Sequence, residues 1–252
     1  MILSDYLRVD YAENDRSGRG PIAPGAGRGH WFDNETWFLS EFLTDQGLSL
    51  LRTKAKFLLE QAGIRKDFAM RQSGGTPRHM RVVPGTVINQ DPTIVEMYRH
   101  PDLLEFLSEI VRKQVIVYDD PLENIVITSL EKTGDTHGAH LDVPPLALVM
   151  CLEAPYDPDK HFDVVTPKGE TWETIRGSDD GAGAVSYIDA YGDPNLISMA
   201  PGDAYIMRTD LWKHEVLPLT KPEINRTILN FTYSFEGFVG TQDGSATALF
   251  TC

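Results

Sequence analysis

The feature that most constrains the fold is a change in sequence texture near residue 114. From there on, short apolar or β-branched segments alternate with turns rich in Gly, Pro and Asp. Many short strands with such turns are typical of a β-sandwich or a β-barrel. The run 147–152 is apolar throughout, which predicts a central strand buried on both faces. We expect strands at residues 115–118, 124–130, 147–152, 171–176, 185–189, 204–208 and 226–235.

The first part of the chain has a helical character instead. Asp91 with Pro92, and Pro101 with Asp102, are typical helix starts. An earlier helix that ends at Gly63 is predicted by apolar residues at helical spacing, namely Leu48, Leu51, Ala55, Leu58 and Ala62. We therefore expect one domain, 1–252, in which a helical part, about 1–113, buttresses a β core, about 114–252. Residues 16–30 are crowded with Gly, Pro and Arg, and form either a lid or an ordinary surface loop.

Composition excludes several classes of protein. The 252 residues carry a formal net charge of -14, which disfavours binding to nucleic acid. Two cysteines do not make a disulfide framework and fit a reducing compartment, so we expect a cytoplasmic protein. No apolar stretch approaches the roughly 20 residues of a membrane span. The sequence is compatible with a homodimer but does not specify one.

The triplet His140-Leu141-Asp142 is the clearest candidate for chemistry. In an extended chain the first and third side chains point to one side, whereas Leu141 should turn into the packing. Alone, the triplet also fits a surface turn. With His214 on a later short strand, it completes a 2-His-1-carboxylate set that suits Fe(II) and leaves positions open for other ligands, including O2.

Arg226 lies in an apolar strand twelve positions after His214. A buried arginine needs an anionic partner, and a guanidinium can hold a carboxylate with two parallel hydrogen bonds. The far carboxylate of 2-oxoglutarate is one candidate partner. The alternative is a structural salt bridge to a protein Asp or Glu.

The sequence leaves the roles of three other residues open. His137 could support the metal ligands or face solvent in a turn. Glu123 precedes an apolar strand and could bind an ammonium group or cap a turn. Arg78 follows Pro77 in a Gly-rich segment and could hold a carboxylate.

From about Gly74 to the C-terminus, the chain resembles the Fe(II)/2-oxoglutarate-dependent hydroxylases and halogenases of free amino acids, the BesD-like family. The resemblance depends on the order and spacing of several short pieces. These are Thr76-Pro77-Arg78, Glu123, the segment from His137 to Asp142, Leu152-Glu153-Ala154-Pro155, His214, and Arg226 with Asn230 and Thr232.

The resemblance implies a double-stranded β-helix, that is, a cupin-like jelly roll. It implies iron held by His140, Asp142 and His214, and 2-oxoglutarate held by Arg226. It further implies a small-molecule amino acid substrate, with His137 behind the metal ligands. The residues that would line the substrate pocket are Arg78, Glu123, Asn230 and Thr232.

Two departures from the halogenases shape the predicted reaction. Halogenases have Gly where this chain has Asp142, so we expect hydroxylation of an unactivated C–H bond, with release of succinate and CO2. Lysine-specific members have an acid where this chain has Val143, which argues against lysine. Desaturation or cyclisation at the same iron centre is an alternative outcome. A non-catalytic β-barrel that holds a structural ion is another.

Overall fold

The computed structural model describes residues 1–9, 36–165, 171–178, 180–188, 194–221, 225–240 and 245–250. Segment 16–30, considered as a lid, lies outside these residues. Over the described residues the helices are α1 (Asp45–Ala62), α2 (Gly85–Ile88), α3 (Pro92–Tyr98), α4 (Pro101–Val111) and α5 (Ser245–Phe250). The strands are β1 (Thr36–Leu39), β2 (Ile64–Met70), β3 (Thr76–Val83), β4 (Val115–Val117), β5 (Ile125–Leu130), β6 (Thr136–His140), β7 (Leu146–Glu153), β8 (Asp157–Val165), β9 (Thr171–Gly177), β10 (Val185–Ile188), β11 (Pro194–Ile197), β12 (Ala204–Met207), β13 (His214–Val216) and β14 (Arg226–Phe235).

Twelve of the strands in the described residues form one antiparallel sheet. Its order is β1-β12-β7-β14-β5-β3-β6-β13-β10-β11, with β2 added to β3 and β4 added to β14. The strands β8 and β9 pair separately. The sheet curls into a half-barrel of the jelly-roll type, as predicted.

The two faces of this sheet bury different clusters. On β7, Leu148 and Met150 pack toward the helices, whereas Ala147, Val149 and Cys151 point into the barrel. Both faces are buried because helices cover the outside, which explains the unbroken apolar run of this strand. The barrel interior is therefore the place where polar side chains need a functional explanation.

The helices α3 and α4 begin where the sequence predicts, and α1 ends before Gly63 as predicted. Thr44 caps α1, accepting a hydrogen bond from the Gly47 backbone, and Asp91 caps α3 through the Thr93 and Ile94 amides. Helix α3 is fastened to the sheet by Tyr98, whose hydroxyl donates to the Thr232 carbonyl oxygen at 2.9 Å. The helical side thus fixes β14 from behind.

The first 113 residues are less helical than expected. They also supply β1, β2 and β3, and β3 lies between β5 and β6 inside the main sheet. The strand β2 escaped prediction because its charged residues mask the apolar alternation. No helix among the described residues is long and apolar enough to cross a membrane.

Candidate metal centre and substrate cavity

Antiparallel pairing brings the two histidines of the predicted triad together. His140 ends β6, His214 begins β13, and the two are direct cross-strand partners. Asp142 follows immediately, with Oδ1 3.3 Å from His140 Nε2 and Oδ2 3.7 Å from His214 Nε2. One ligand atom from each residue lies within 4.8 Å of the others, so the three could hold one metal ion.

The far side of each imidazole is already engaged. The Nδ1 atom of His140 lies 2.9 Å from the Gly138 carbonyl oxygen, and Nδ1 of His214 lies 2.9 Å from that of Trp212. Since a carbonyl only accepts, each Nδ1 donates to it, which leaves each Nε2 as the ring atom that is directed at Asp142 and could bind a metal. This donor set of two imidazole nitrogens and one carboxylate fits Fe(II).

Close backbone packing fixes the strand that carries the triplet. A Cβ atom at Gly138 would lie 2.6 Å from Pro77 Cδ, so only glycine allows β6 to approach β3 this closely. Beyond the strand, the Asp142 amide donates to the Thr209 carbonyl oxygen at 2.9 Å. The prediction that Leu141 turns into the packing is wrong, because β6 ends at His140. Leu141 is 49% exposed and lines the mouth of the cavity.

His137 lies against a ligand rather than in solvent. Its ring stacks on that of His140, with centroids 3.9 Å apart, and its Nε2 atom is buried without a hydrogen-bond partner. Burial lowers the pKa of His137 well below its ordinary value, and the charges of His140 and Arg78 act in the same direction. The imidazole is therefore neutral and supports the His140 ring.

The electrostatics of the centre favour the ligand states that a metal needs. Burial alone would raise the pKa of Asp142, but His140, His214 and Arg78 outweigh it and lower the pKa. Burial lowers the pKa of His214 to about 4, with repulsion from His140 in addition. The carboxylate is thus ionised and His214 is neutral near pH 7, as required for coordination.

Arg226 faces the same cavity from the first position of β14. Its side chain is 3% exposed, and burial lowers its pKa, opposed only by Tyr205 and Cys151. Within the part of the chain that the structure describes, no Asp or Glu forms an ion pair with it. The structural salt bridge considered from the sequence is therefore not found among the described residues.

Arg78 is a second buried cation in this cavity. It is 1% exposed, its Nη1 donates to the Gly138 carbonyl at 2.9 Å, and its Nη2 donates to the Ser73 hydroxyl at 3.0 Å. Its Nε has no partner. Burial lowers the pKa of Arg78 to about 10 despite the attraction of Asp142. Neutral oxygens fix its orientation, while its charge faces the cavity.

Glu123, Asn230 and Thr232 also line the cavity. The Thr232 hydroxyl donates to the Glu123 carbonyl oxygen at 2.8 Å, and Asn230 Oδ1 is buried without a partner. A hydrogen bond also joins the Glu123 carboxylate to the Tyr118 hydroxyl. All three side chains line the cavity with Arg78 and the triad. Thr232 is engaged in positioning Glu123.

The cavity of about 100 Å³ also has walls that sequence reasoning did not identify. The Tyr205 hydroxyl points inward from β12, near Arg226 and Asp142, and burial raises its pKa. Leu249 and Phe250 of α5 close another side. Residues 204–207 are apolar throughout, so no alternation indicated which way Tyr205 faces, and α5 is too short to leave a periodic signal.

Solved structures support the fold. The epimerase SnoN from nogalamycin biosynthesis, a non-heme α-ketoglutarate-dependent protein, superposes with a TM-score of 0.59 at 10% identity, over 82% of this chain and 80% of its own. A 2OG-Fe(II) oxygenase family oxidoreductase from Burkholderia pseudomallei gives 0.55 at 16% identity, over 89% of both chains. HygX from Streptomyces hygroscopicus, solved with nickel, 2-oxoglutarate and hygromycin B bound, gives 0.53 at 12% identity, over 84% and 87%.

The sequence comparison is more specific. No curated protein sequence matches the chain. The sequence model of one family, described as Halogenase D, matches residues 27–243, which include all three residues of the triad and both cavity arginines. The chain therefore belongs to the Halogenase D family, within the fold group of the Fe(II)- and 2-oxoglutarate-dependent oxygenases.

Proposed function

We propose that the protein is an Fe(II)- and 2-oxoglutarate-dependent oxygenase that hydroxylates an unactivated C–H bond of a free amino acid. One observation carries this proposal. Two buried arginines face the same cavity as the His140, Asp142 and His214 triad, and no described carboxylate neutralises either through an ion pair. Two carboxylates from outside the protein, one from 2-oxoglutarate and one from a substrate, would satisfy them.

Each part of the cavity then has a role. His140, His214 and Asp142 would hold the iron. Arg226 would bind the far carboxylate of 2-oxoglutarate through a forked pair of hydrogen bonds, and Tyr205 is placed to add a third. When bound, iron with 2-oxoglutarate and O2 supplies an oxidant that removes hydrogen from carbon and returns hydroxyl, leaving succinate and CO2.

The remaining polar groups would orient the amino acid. Arg78 would bind its carboxylate, while Glu123 and Asn230 would bind its ammonium group. Thr232 would hold the Glu123 backbone in place. The apolar walls exclude water, so the protein acts by fixing one carbon next to the centre and keeping the site dry.

Asp142 favours hydroxylation over halogenation. Its carboxylate already stands between the two histidines, within 3.3 Å of one and 3.7 Å of the other. A halide would need that position. Within a family named for halogenation, this residue is therefore the basis for proposing oxygen transfer.

Substitution of Asp142 tests the proposal. We expect Asp142→Ala to bind iron more weakly and to abolish substrate hydroxylation, measured by metal content and by chromatography. Asp102→Ala, which removes an exposed carboxylate on α4, serves as the control and should retain both. Equal hydroxylation by Asp142→Ala and the parent would refute the ligand assignment. Product mass then separates hydroxylation, a gain of one oxygen, from desaturation or cyclisation, a loss of two hydrogens.

A further inference from the structure

The charged side chains on the cavity wall indicate which charges a substrate would carry. The triad, His137 and Arg226 belong to the metal and cosubstrate part of the proposed site. Among the other described residues that line the cavity, Arg78 and Glu123 are the ones that carry charge. The substrate part of the wall thus presents one cation and one anion.

The rest of this wall is mostly apolar. Met70 ends β2, and α5 packs against that strand with Leu249 and Phe250 in the same buried cluster. Val126 of β5 joins them. Val143 lies on the rim just after the metal triplet, where its Cγ1 is 3.6 Å from the Cβ position of Gly240. An apolar surface therefore surrounds whatever projects beyond Arg78 and Glu123.

From this balance we propose that the substrate is an amino acid whose side chain is uncharged and apolar. The inference rests on the proposed function. The α-carboxylate matches Arg78, whose unpartnered Nε is buried beside it, and the α-ammonium matches Glu123 with Asn230 Oδ1. The zwitterion thereby uses both charges of the wall. Among the described lining residues, a third charge on the side chain would find no counter-ion, which costs far more than apolar burial gains.

The neutral polar groups of the wall do not offset such a charge. Ser73 accepts from Arg78, and Thr232 donates to the Glu123 backbone. Hydroxyls already fixed in this way stabilise an isolated ammonium or carboxylate poorly. We therefore expect discrimination against lysine and glutamate of about 100-fold or more, the scale of an uncompensated buried charge.

Binding measured without turnover tests the inference. The protein loaded with Fe(II) and 2-oxoglutarate is titrated anaerobically with leucine, methionine, lysine and glutamate in a calorimeter, and succinate is measured after O2 is admitted. Leucine or methionine should bind about 100-fold more tightly than lysine or glutamate and should stimulate succinate release. If lysine or glutamate binds within tenfold of the best neutral amino acid, the inference is overturned while the proposed function stands. If none of the four amino acids binds or stimulates succinate release, the proposed function is contradicted, and so is the inference that depends on it.

A charge placed on the apolar rim gives a second, independent test. We expect Val143→Asp to gain lysine affinity at least tenfold relative to Val143→Asn, and to lose leucine affinity. The asparagine variant has the same shape without the charge, and thermal unfolding of both variants controls for folding. Equal lysine affinity in the two variants would show that the substrate's side chain does not face this wall, and would overturn the inference.

Discussion

Two regions of the molecule differ in how they pair arginine: Arg65 is partly exposed and bound to an acid, whereas the two cavity arginines are buried. Before the metal-bearing strand, Arg65 donates from Nη1 and Nη2 to the two Asp135 oxygens at 2.6 and 2.7 Å. In the cavity, Arg226 and Arg78 have no such acid among the described residues. The first guanidinium thus has its counter-ion within the chain, whereas the proposed function would give the other two their counter-ions from ligands.

This contrast predicts which arginine contributes to stability and which contributes to ligand binding, because the energy of a paired charge differs from that of an unpaired one. A paired charge loses its stabilisation when one partner is removed, whereas a buried charge without a partner already costs desolvation energy. Substitutions at the pair should therefore lower stability and spare chemistry. Substitution of Arg226 should abolish ligand use and spare stability.

The largest effect is expected at Arg226. For Arg226→Leu we expect kcat/KM for 2-oxoglutarate to fall about 100-fold or more, because two charge-assisted hydrogen bonds of about 1.5–3 kcal/mol each are lost. Its thermal stability should stay equal or rise. Steady-state assays at varied 2-oxoglutarate and thermal unfolding measure the two quantities. The matched variant Arg65→Leu should lose thermal stability and keep its kcat/KM for 2-oxoglutarate. An unchanged KM for 2-oxoglutarate in Arg226→Leu would contradict the distinction between the arginine that is paired with an acid and the cavity arginines.

Asp135 should give the next largest change, in stability alone. It accepts from Arg65 and from the Glu131 and Lys132 amides. Asp135→Asn should lower the free energy of unfolding by about 1–3 kcal/mol, measured by urea denaturation. The KM for 2-oxoglutarate of the folded variant should be unchanged. A variant as stable as the parent would show that the pair is only a surface contact.

A smaller effect is expected at Tyr205. Loss of one hydroxyl that donates to 2-oxoglutarate should raise its KM several-fold in Tyr205→Phe, corresponding to about 1 kcal/mol. The value of kcat should change little, since the hydroxyl would contact the far carboxylate. Tyr187→Phe, on β10 of the same sheet and also buried, is the matched control. An identical KM in both variants would leave Arg226 as the sole anchor.

The pH dependence of the Asp135 effect sharpens the comparison further. Burial raises the pKa of Asp135, but Arg65 and the backbone amides outweigh it, so the folded pKa lies below the ordinary 3.8. A lowered folded pKa gives stability that is complete above the unfolded value and is lost as pH falls through the folded one. The stability difference between the parent and Asp135→Asn should therefore be constant above about pH 5 and shrink below 3.8. Denaturation midpoints at pH 3 and pH 7 test this.

Local patterns explain most of what the sequence predicted. The apolar run of β7, and the helix starts at Asp91-Pro92 and Pro101-Asp102, depend on a few neighbouring residues and are visible in the sequence. The triad was predicted from residue chemistry, but the pairing of His140 with His214 depends on strand register. Leu141 was misassigned because alternation ends where the strand ends.

Other parts of the cavity depend on contacts between distant segments. The strands β2 and β3 enter the sheet by pairing with each other and with β5 and β6, which no local pattern of Ile64–Met70 encodes. Tyr205 faces inward because β12 aligns with β7, as register pairs it with Val149. Such placements follow from the assembled sheet, so the sequence alone did not reveal them.

The direct pairing of His140 with His214 also has a consequence for folding. A slip of one residue between β6 and β13 would send one imidazole to the opposite surface of the sheet, and no ion could then bridge the two strands. Metal uptake would therefore select the correctly aligned chain from its misaligned isomers. In this way the ion that the triad would hold would also stabilise the correct register of β6 and β13.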